Sequence, residues 1–121
     1  MILVDTSVWI DHLRRGEPEL EARLHQGRIL VHVFVIGELA CGNLRNRGEI
    51  LRLLRDMPQA VRATDEEVLE CIEVRKLMGR GIGYADAHLL ASTLLTPGTR
   101  LWTRDRRLHA AALSLGLARD A

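Results

Sequence analysis

The apolar runs of this chain are short, and longer stretches with helical spacing separate them. No other feature limits the fold as strongly. Ile2-Leu3-Val4 and Ile29-Leu30-Val31 read as buried strands, and Arg100 to Thr103 as a final one. Asp5-Thr6-Ser7 can cap a helix running from Val8 to Leu13, which Gly16 ends, and Pro18 opens a second helix reaching Gly27. Val33 to Gly42 leads into a helix, and another is expected from about Asn43 to Met57, closed by Pro58. Ala60 to Ala63 is a weak additional strand. Thr64-Asp65-Glu66-Glu67 is a capping box opening a further helix. The most regular pattern follows, with Ala87, Leu90, Ala91 and Leu94 at i, i+3, i+4 and i+7, and a last helix turns Leu108, Ala111, Ala112 and Leu115 inward. Short strands alternating with longer helices predict an α/β chain whose parallel sheet is covered on both faces. With 121 residues and no repeat, linker or low-complexity segment, one domain over residues 1–121 is expected.

Several classes of function fall away on composition. A chain 47% hydrophobic and 27% charged is not disordered. Trp9, Phe34, Tyr84 and Trp102 are its only aromatics, which argues against a single-strand binder built on stacking platforms. A formal charge of +1 does not announce a nucleic-acid binder either. Cys41 and Cys71 are too few for a disulfide framework or a zinc site, and each lies in an apolar helical pattern where a buried reduced thiol is expected. The opening apolar run is too short for a signal peptide and no stretch approaches a membrane span, so a cytoplasmic domain is expected.

Acids standing just past strands carry the chemistry, because ligands of an open parallel sheet bind beyond the carboxyl ends of its strands. Asp5 follows the first run, Asp105 comes two residues after Leu101-Trp102-Thr103, and Asp86 opens the most periodic helix beyond Gly79, Gly81 and Gly83. Each could be an ordinary helix cap. Glu38 is different: it is the only charged residue between Val33 and Gly42, and burial of such a carboxylate is costly unless something pairs with it. If Asp5, Glu38, Asp86 and Asp105 converge, protonation or a cation must relieve their repulsion. An all-oxygen set selects Mg²⁺ or Mn²⁺ over zinc, and such a metal suits phosphate-ester chemistry. The five histidines show no ligand spacing, and His88 is assigned to packing or the surface. Arg104, Arg106 and Arg107 flank Asp105 and could clamp RNA phosphates, with a solvated helix end as the plain alternative.

Val4-Asp5-Thr6-Ser7-Val8, Ile36-Gly37-Glu38-Leu39, Ala85-Asp86-Ala87-His88-Leu89-Leu90-Ala91 and Trp102-Thr103-Arg104-Asp105, in this order, resemble the PIN-domain ribonucleases. The likeness is greatest to the short VapC-type toxins of bacterial toxin–antitoxin pairs and covers nearly the whole chain. It implies a three-layer α/β/α sandwich with a short central parallel sheet. It also implies Asp5 and Asp86 as direct ligands of Mg²⁺ or Mn²⁺, with Glu38 and Asp105 completing the set. Thr103 and Thr6 would orient the carboxylates through their hydroxyls. A metal-activated water would then cleave RNA to a 5′-phosphate and a 3′-hydroxyl. A homodimer silenced by a VapB-type antitoxin is implied as well. Many relatives place a further acid or asparagine soon after the last aspartate, whereas Arg106, Arg107 and Leu108 stand here, which leaves a second metal position unsupported. Two competing readings are an RNA-processing nuclease of the same fold without a toxin role and a non-catalytic acidic α/β interaction module. With four acids in one pocket, twelve remain against seventeen basic residues, so the near-neutral total hides an acidic centre inside a basic exterior.

Overall fold

Three strands run parallel in the order β2-β1-β3, with β1 (Ile2–Val4) between β2 (Ile29–Leu30) and β3 (Arg100–Trp102). The structure is a computed structural model and describes residues 1–119. Leu3 sits opposite Leu30 on one side and Leu101 on the other. Successive residues of a strand face opposite sides of a sheet, yet Leu3 and Val4 are both fully buried. Layers therefore cover both faces, giving the three-layer α/β/α sandwich. Single bridges widen the sheet at each edge, Val31 with Gln59 and Leu101 with Ala118. The strand expected over Ala60 to Ala63 is thus reduced to one bridge a residue earlier, where Ala60 N–H meets the Val31 carbonyl at 2.9 Å.

Helices α1 (Thr6–Arg15) and α2 (Pro18–His25) lead from β1 to β2, and α3 (Val33–Ala40), α4 (Arg47–Asp56), α5 (Asp65–Arg75) and α6 (Tyr84–Leu95) lie between β2 and β3. The chain then enters α7 (Arg106–Ser114). α4 begins later than the apolar spacing from Asn43 implied, because Asn46 takes a left-handed conformation with φ +52° that no helix continues through. The Thr64 capping box forms in full: Thr64 Oγ1 accepts from Glu67 N–H at 3.1 Å and Glu67 returns a carboxylate to Thr64 N–H at 2.9 Å. Trp9, Trp102 and buried leucines such as Leu3, Leu20, Leu90, Leu101 and Leu108 belong to one continuous core. A smaller cluster of Ala63, Val68, Ala87 and Ala91 lets α5 approach α6 closely. The cysteines do not belong to the buried core: Cys41 is exposed, just past α3, and Cys71 is half-buried. Among the described residues no helix is long and apolar enough to cross a membrane.

Candidate active site

The chain leaves the central strand β1 at Asp5 for β2 on one side, and later crosses from β2 to β3 on the other. That is the switch point at which an open parallel sheet forms a crevice. Asp5 occupies the N-cap position of α1 but its carboxylate caps nothing. Its Oδ2 instead accepts from Thr103 Oγ1 at 2.7 Å and from Ser7 Oγ at 2.9 Å. Those hydroxyls have their own donors, since Arg104 N–H reaches Ser7 Oγ at 3.0 Å and Asp105 N–H reaches Thr103 Oγ1 at 3.0 Å. Each hydroxyl accepts a backbone proton and aims its own at Asp5, so the turn after β3 fixes a carboxylate on β1. Chained bonds of this kind polarise one another.

The other acids follow the same pattern with different donors. Asp105 caps α7, its Oδ1 accepting from Arg107 and Leu108 N–H at 2.9 and 3.0 Å. Asp86, in the first turn of α6, accepts from Gly83 N–H at 3.1 Å through Oδ2. Glu38 accepts from Thr6 Oγ1 at 2.8 Å through Oε1. In every case one carboxylate oxygen is committed and the other accepts no hydrogen bond among the described residues. None of the four pairs with an arginine or lysine there. Burial raises the Asp86 pKa above the ordinary carboxylate value; the Gly83 amide opposes this, and the charges of Asp5 and Asp105 add to the rise. Asp5 and Asp105 therefore stand near enough to Asp86 for their charges to act on it. The positions of all three at the N-terminal ends of α1, α6 and α7 are favourable for negative charge. Glu38 lies in the last turn of α3, where the helix dipole disfavours an anion.

A divalent ion fits this donor set by chemistry, being all carboxylate with one open oxygen on each acid. Among the described residues no three His, Cys, Asp or Glu side chains already close on a common point. A hard cation that keeps several of its own waters, as Mg²⁺ does, suits that spacing better than one needing a tight protein cage.

The hydroxyls are distributed differently from the sequence expectation. Thr103 serves Asp5 as expected, but Thr6 serves Glu38, and the second hydroxyl on Asp5 is Ser7, which read only as a helix cap. Nothing local distinguishes the two neighbours, because the choice depends on where Glu38 arrives from a helix 32 residues away. Arg104, a candidate for phosphate with a solvated helix end as its alternative, places its guanidinium on Asp11 and Glu17. That contact holds both carboxyls below their ordinary pKa range and locks the β3–α7 turn to α1. Arg106 and Arg107 are exposed, the latter lying against Gly81 at the approach to α6. His88 is buried to 1% exposure, its ring packed 4.4 Å from Phe34 and 4.7 Å from Tyr84.

A three-stranded parallel sheet with acids gathered past its carboxyl edge defines the class, and the PIN domain family model matches residues 2–113. The chain belongs to the PIN domain family. It is also 48% identical over 118 residues to the proteins named Ribonuclease VapC32 in two Mycobacterium tuberculosis strains, an alignment spanning 98% of this chain and 95% of each relative.

Proposed function

We propose that this chain is a divalent-metal-dependent endoribonuclease acting as the toxin of a toxin–antitoxin pair in the cytoplasm. The observation that carries the reading is the way the four acids are held: neutral hydroxyl and amide donors orient Asp5, Glu38, Asp86 and Asp105 and leave their charge uncancelled. The 48% identity, over 98% of this chain, to proteins named Ribonuclease VapC32 supports RNA as the substrate. Asp5 and Asp86 are the direct ligands in this reading, with Glu38 and Asp105 acting directly or through bound water, and Mg²⁺ or Mn²⁺ as the ion. When bound, such an ion lowers the pKa of water and neutralises charge on a phosphoryl group. The chain's own residues supply position: Ser7 and Thr103 keep Asp5 from rotating, and Thr6 holds Glu38. Arg106 and Arg107 lie at the exposed start of α7, where they can meet the RNA backbone.

A VapB-type antitoxin and a homodimer complete the reading. A cavity of about 590 Å³ opens beside Glu38, with Ile10, Leu13, Leu44 and Ile50 as apolar walls and Arg14 and Arg45 at its lining. It suits an inhibitory segment that reaches the acids from one side. If that segment brings an arginine, titrating the antitoxin weakens metal binding; unchanged metal binding with full inhibition points to steric blocking.

The decisive test is cleavage of total cellular RNA with Mg²⁺ or Mn²⁺, with ends mapped, by the wild type and by Asp5→Asn. Cleavage leaving 5′-phosphates that disappears in Asp5→Asn is the expected result. Undiminished cleavage by the variant removes Asp5 from the site.

A further inference from the structure

The first turn of α6 has a weakness: it must hold Asp86 in place, yet the chain before it is Gly79-Arg80-Gly81-Ile82-Gly83, with φ +70° at Gly79 and +77° at Gly81. A glycine-rich approach does not fix a helix end, and the N-cap residue Gly83 has no side chain with which to cap it. The fixation comes from the opposite face. Tyr84 and His88 are one helical turn apart and share a side of α6, whereas Asp86 between them projects roughly opposite, at about 200° from each. Both converge on one atom of α5: Tyr84 Oη donates to Asp65 Oδ1 at 2.8 Å, and His88 Nε2–H donates to the same oxygen at 3.1 Å.

We infer that Asp65, Tyr84 and His88 are positioning residues that hold the first turn of α6 so that Asp86 presents its open oxygen to the metal. This rests on the reading of Asp86 as a metal ligand. The His88 imidazole is enclosed by Phe34 and Tyr84, and its Nδ1 has no partner among the described residues. Among the described residues its only hydrogen-bonding outlet is Asp65, whose own side chain is exposed, so loss of that acceptor leaves Nε2–H without a protein partner and the imidazole shifts to recover one. Any such shift moves the turn that carries Asp86. Asp65 itself is fixed from behind, since it is the first residue of α5, directly after the Thr64 cap. The device is geometric: Asp65 is not one of the charges that perturb the Asp86 carboxyl.

The test is Mn²⁺ affinity of RNA-free protein by titration calorimetry, accompanied by thermal melts and by KM and kcat for RNA at saturating metal. Asp65→Ala is expected to weaken Mn²⁺ binding about five-fold, below the 10–100-fold typical of a ligand's own hydrogen-bond partner. Asp65→Asn keeps an acceptor oxygen and is expected to retain most of the affinity. KM for RNA is expected to stay unchanged in both. Tyr84→Phe removes one of the two donors with little change in volume and is expected to fall between them. Wild-type Mn²⁺ affinity in folded Asp65→Ala overturns the inference, leaving a plain staple between helices. Equal losses in Asp65→Ala and Asp65→Asn overturn it too, because charge and not the acceptor is then what matters. Asp86→Asn is the separate control: if it binds Mn²⁺ like the wild type, the metal-ligand reading of Asp86 fails, whatever Asp65 does.

Discussion

The two ends of the sheet carry opposite charges and treat them in opposite ways. Around the amino ends of β1 and β3 lie Arg23, Arg28, Arg100 and Arg119, with Glu19 as the one acid among the described residues lining the same hollow. Most of these cations have partners: Arg119 pairs with Glu19 and stacks 3.9 Å from the Trp102 ring, and Arg100 donates to the Gly116 carbonyl at 2.7 Å. At the carboxyl ends the acids have donors but no counter-charge among the described residues. A hydroxyl or amide sets the angle of a carboxylate without cancelling its field, whereas a guanidinium does both. The amino end is thus closed as structure, and the carboxyl end keeps an unbalanced charge available to a cation.

That contrast breaks most visibly where the neutral donors are removed. Ser7→Ala together with Thr103→Val leaves every acid in place but frees Asp5 to rotate. Losing an outer hydrogen-bond partner typically costs 10–100-fold in metal affinity or activity. The two hydroxyls converge on one oxygen, so their effects do not simply multiply. The double variant is expected to lose about 100- to 1,000-fold in cleavage at limiting metal, with part of the loss recovered at high Mn²⁺. Wild-type cleavage at limiting metal means that these hydroxyls only cap the helix and the turn.

The chain also leaves β2 at a polar residue, and there the outcome is different again. His32 follows Val31, is 1% exposed, and accepts from Phe34 N–H at 2.9 Å through Nδ1 while Nε2 faces Ser92 Oγ at 2.9 Å. Burial, aided by the charges of His88 and Arg62, lowers its pKa from 6.5 to about 4. On acidification the unfolded chain takes up the proton first. The stability this residue contributes is therefore complete above pH 6.5, falls between pH 6.5 and about 4, and changes no further below. A shift of this size is worth about 3 kcal/mol. His32→Asn retains a capping acceptor but does not titrate, and urea melts are expected to show its stability falling less than that of the wild type over this window. Since Asp11, Glu17 and Asp65 have lowered pKa values and act in the more acid range, the difference between the two proteins is the quantity to read. Parallel pH profiles remove His32 as the source.

Asp5 and Asp105 stood out in the sequence because position just past a strand is a local property, whereas Glu38 and Asp86, inside α3 and α6, stood out only by an apolar neighbourhood and a glycine-rich approach. The manner in which the acids are held was not legible. Asp5 and Asp105 look alike as N-caps, and only the fold separates them: Asp105 caps α7, whereas Asp5 turns to hydroxyls from two segments nearly a hundred residues apart in sequence. Arg104 misled for the same reason. Its neighbourhood in sequence is Asp105 and two more arginines, but its neighbourhood in space is Asp11 and Glu17, which no local pattern connects to it. Short elements were the other weak point. A strand that survives as the single Val31–Gln59 bridge leaves almost no period to read, and a left-handed Asn46 interrupts a helix inside a run of apparently suitable residues. The cysteines erred by the same token, since an apolar neighbourhood in sequence did not place Cys41 inside.

The smallest effects belong to the arginines beside the acidic edge, and they separate structure from recognition. Arg104→Ala releases Asp11 and Glu17 and is expected to lower the melting temperature, with KM for RNA moving only as far as the β3–α7 turn loosens. Arg106→Ala with Arg107→Ala removes two exposed cations whose side chains make no hydrogen bond or ion pair among the described residues. That pair is expected to leave the melt unchanged and to raise KM a few-fold at low salt. The difference should shrink as salt rises, because contacts to phosphate depend on released counterions. A wild-type KM at low salt in the double variant assigns Arg106 and Arg107 to the solvated helix end. RNA would then have to approach the acids without help from the start of α7, across the cavity beside Glu38 or along the Gly79–Gly83 turn.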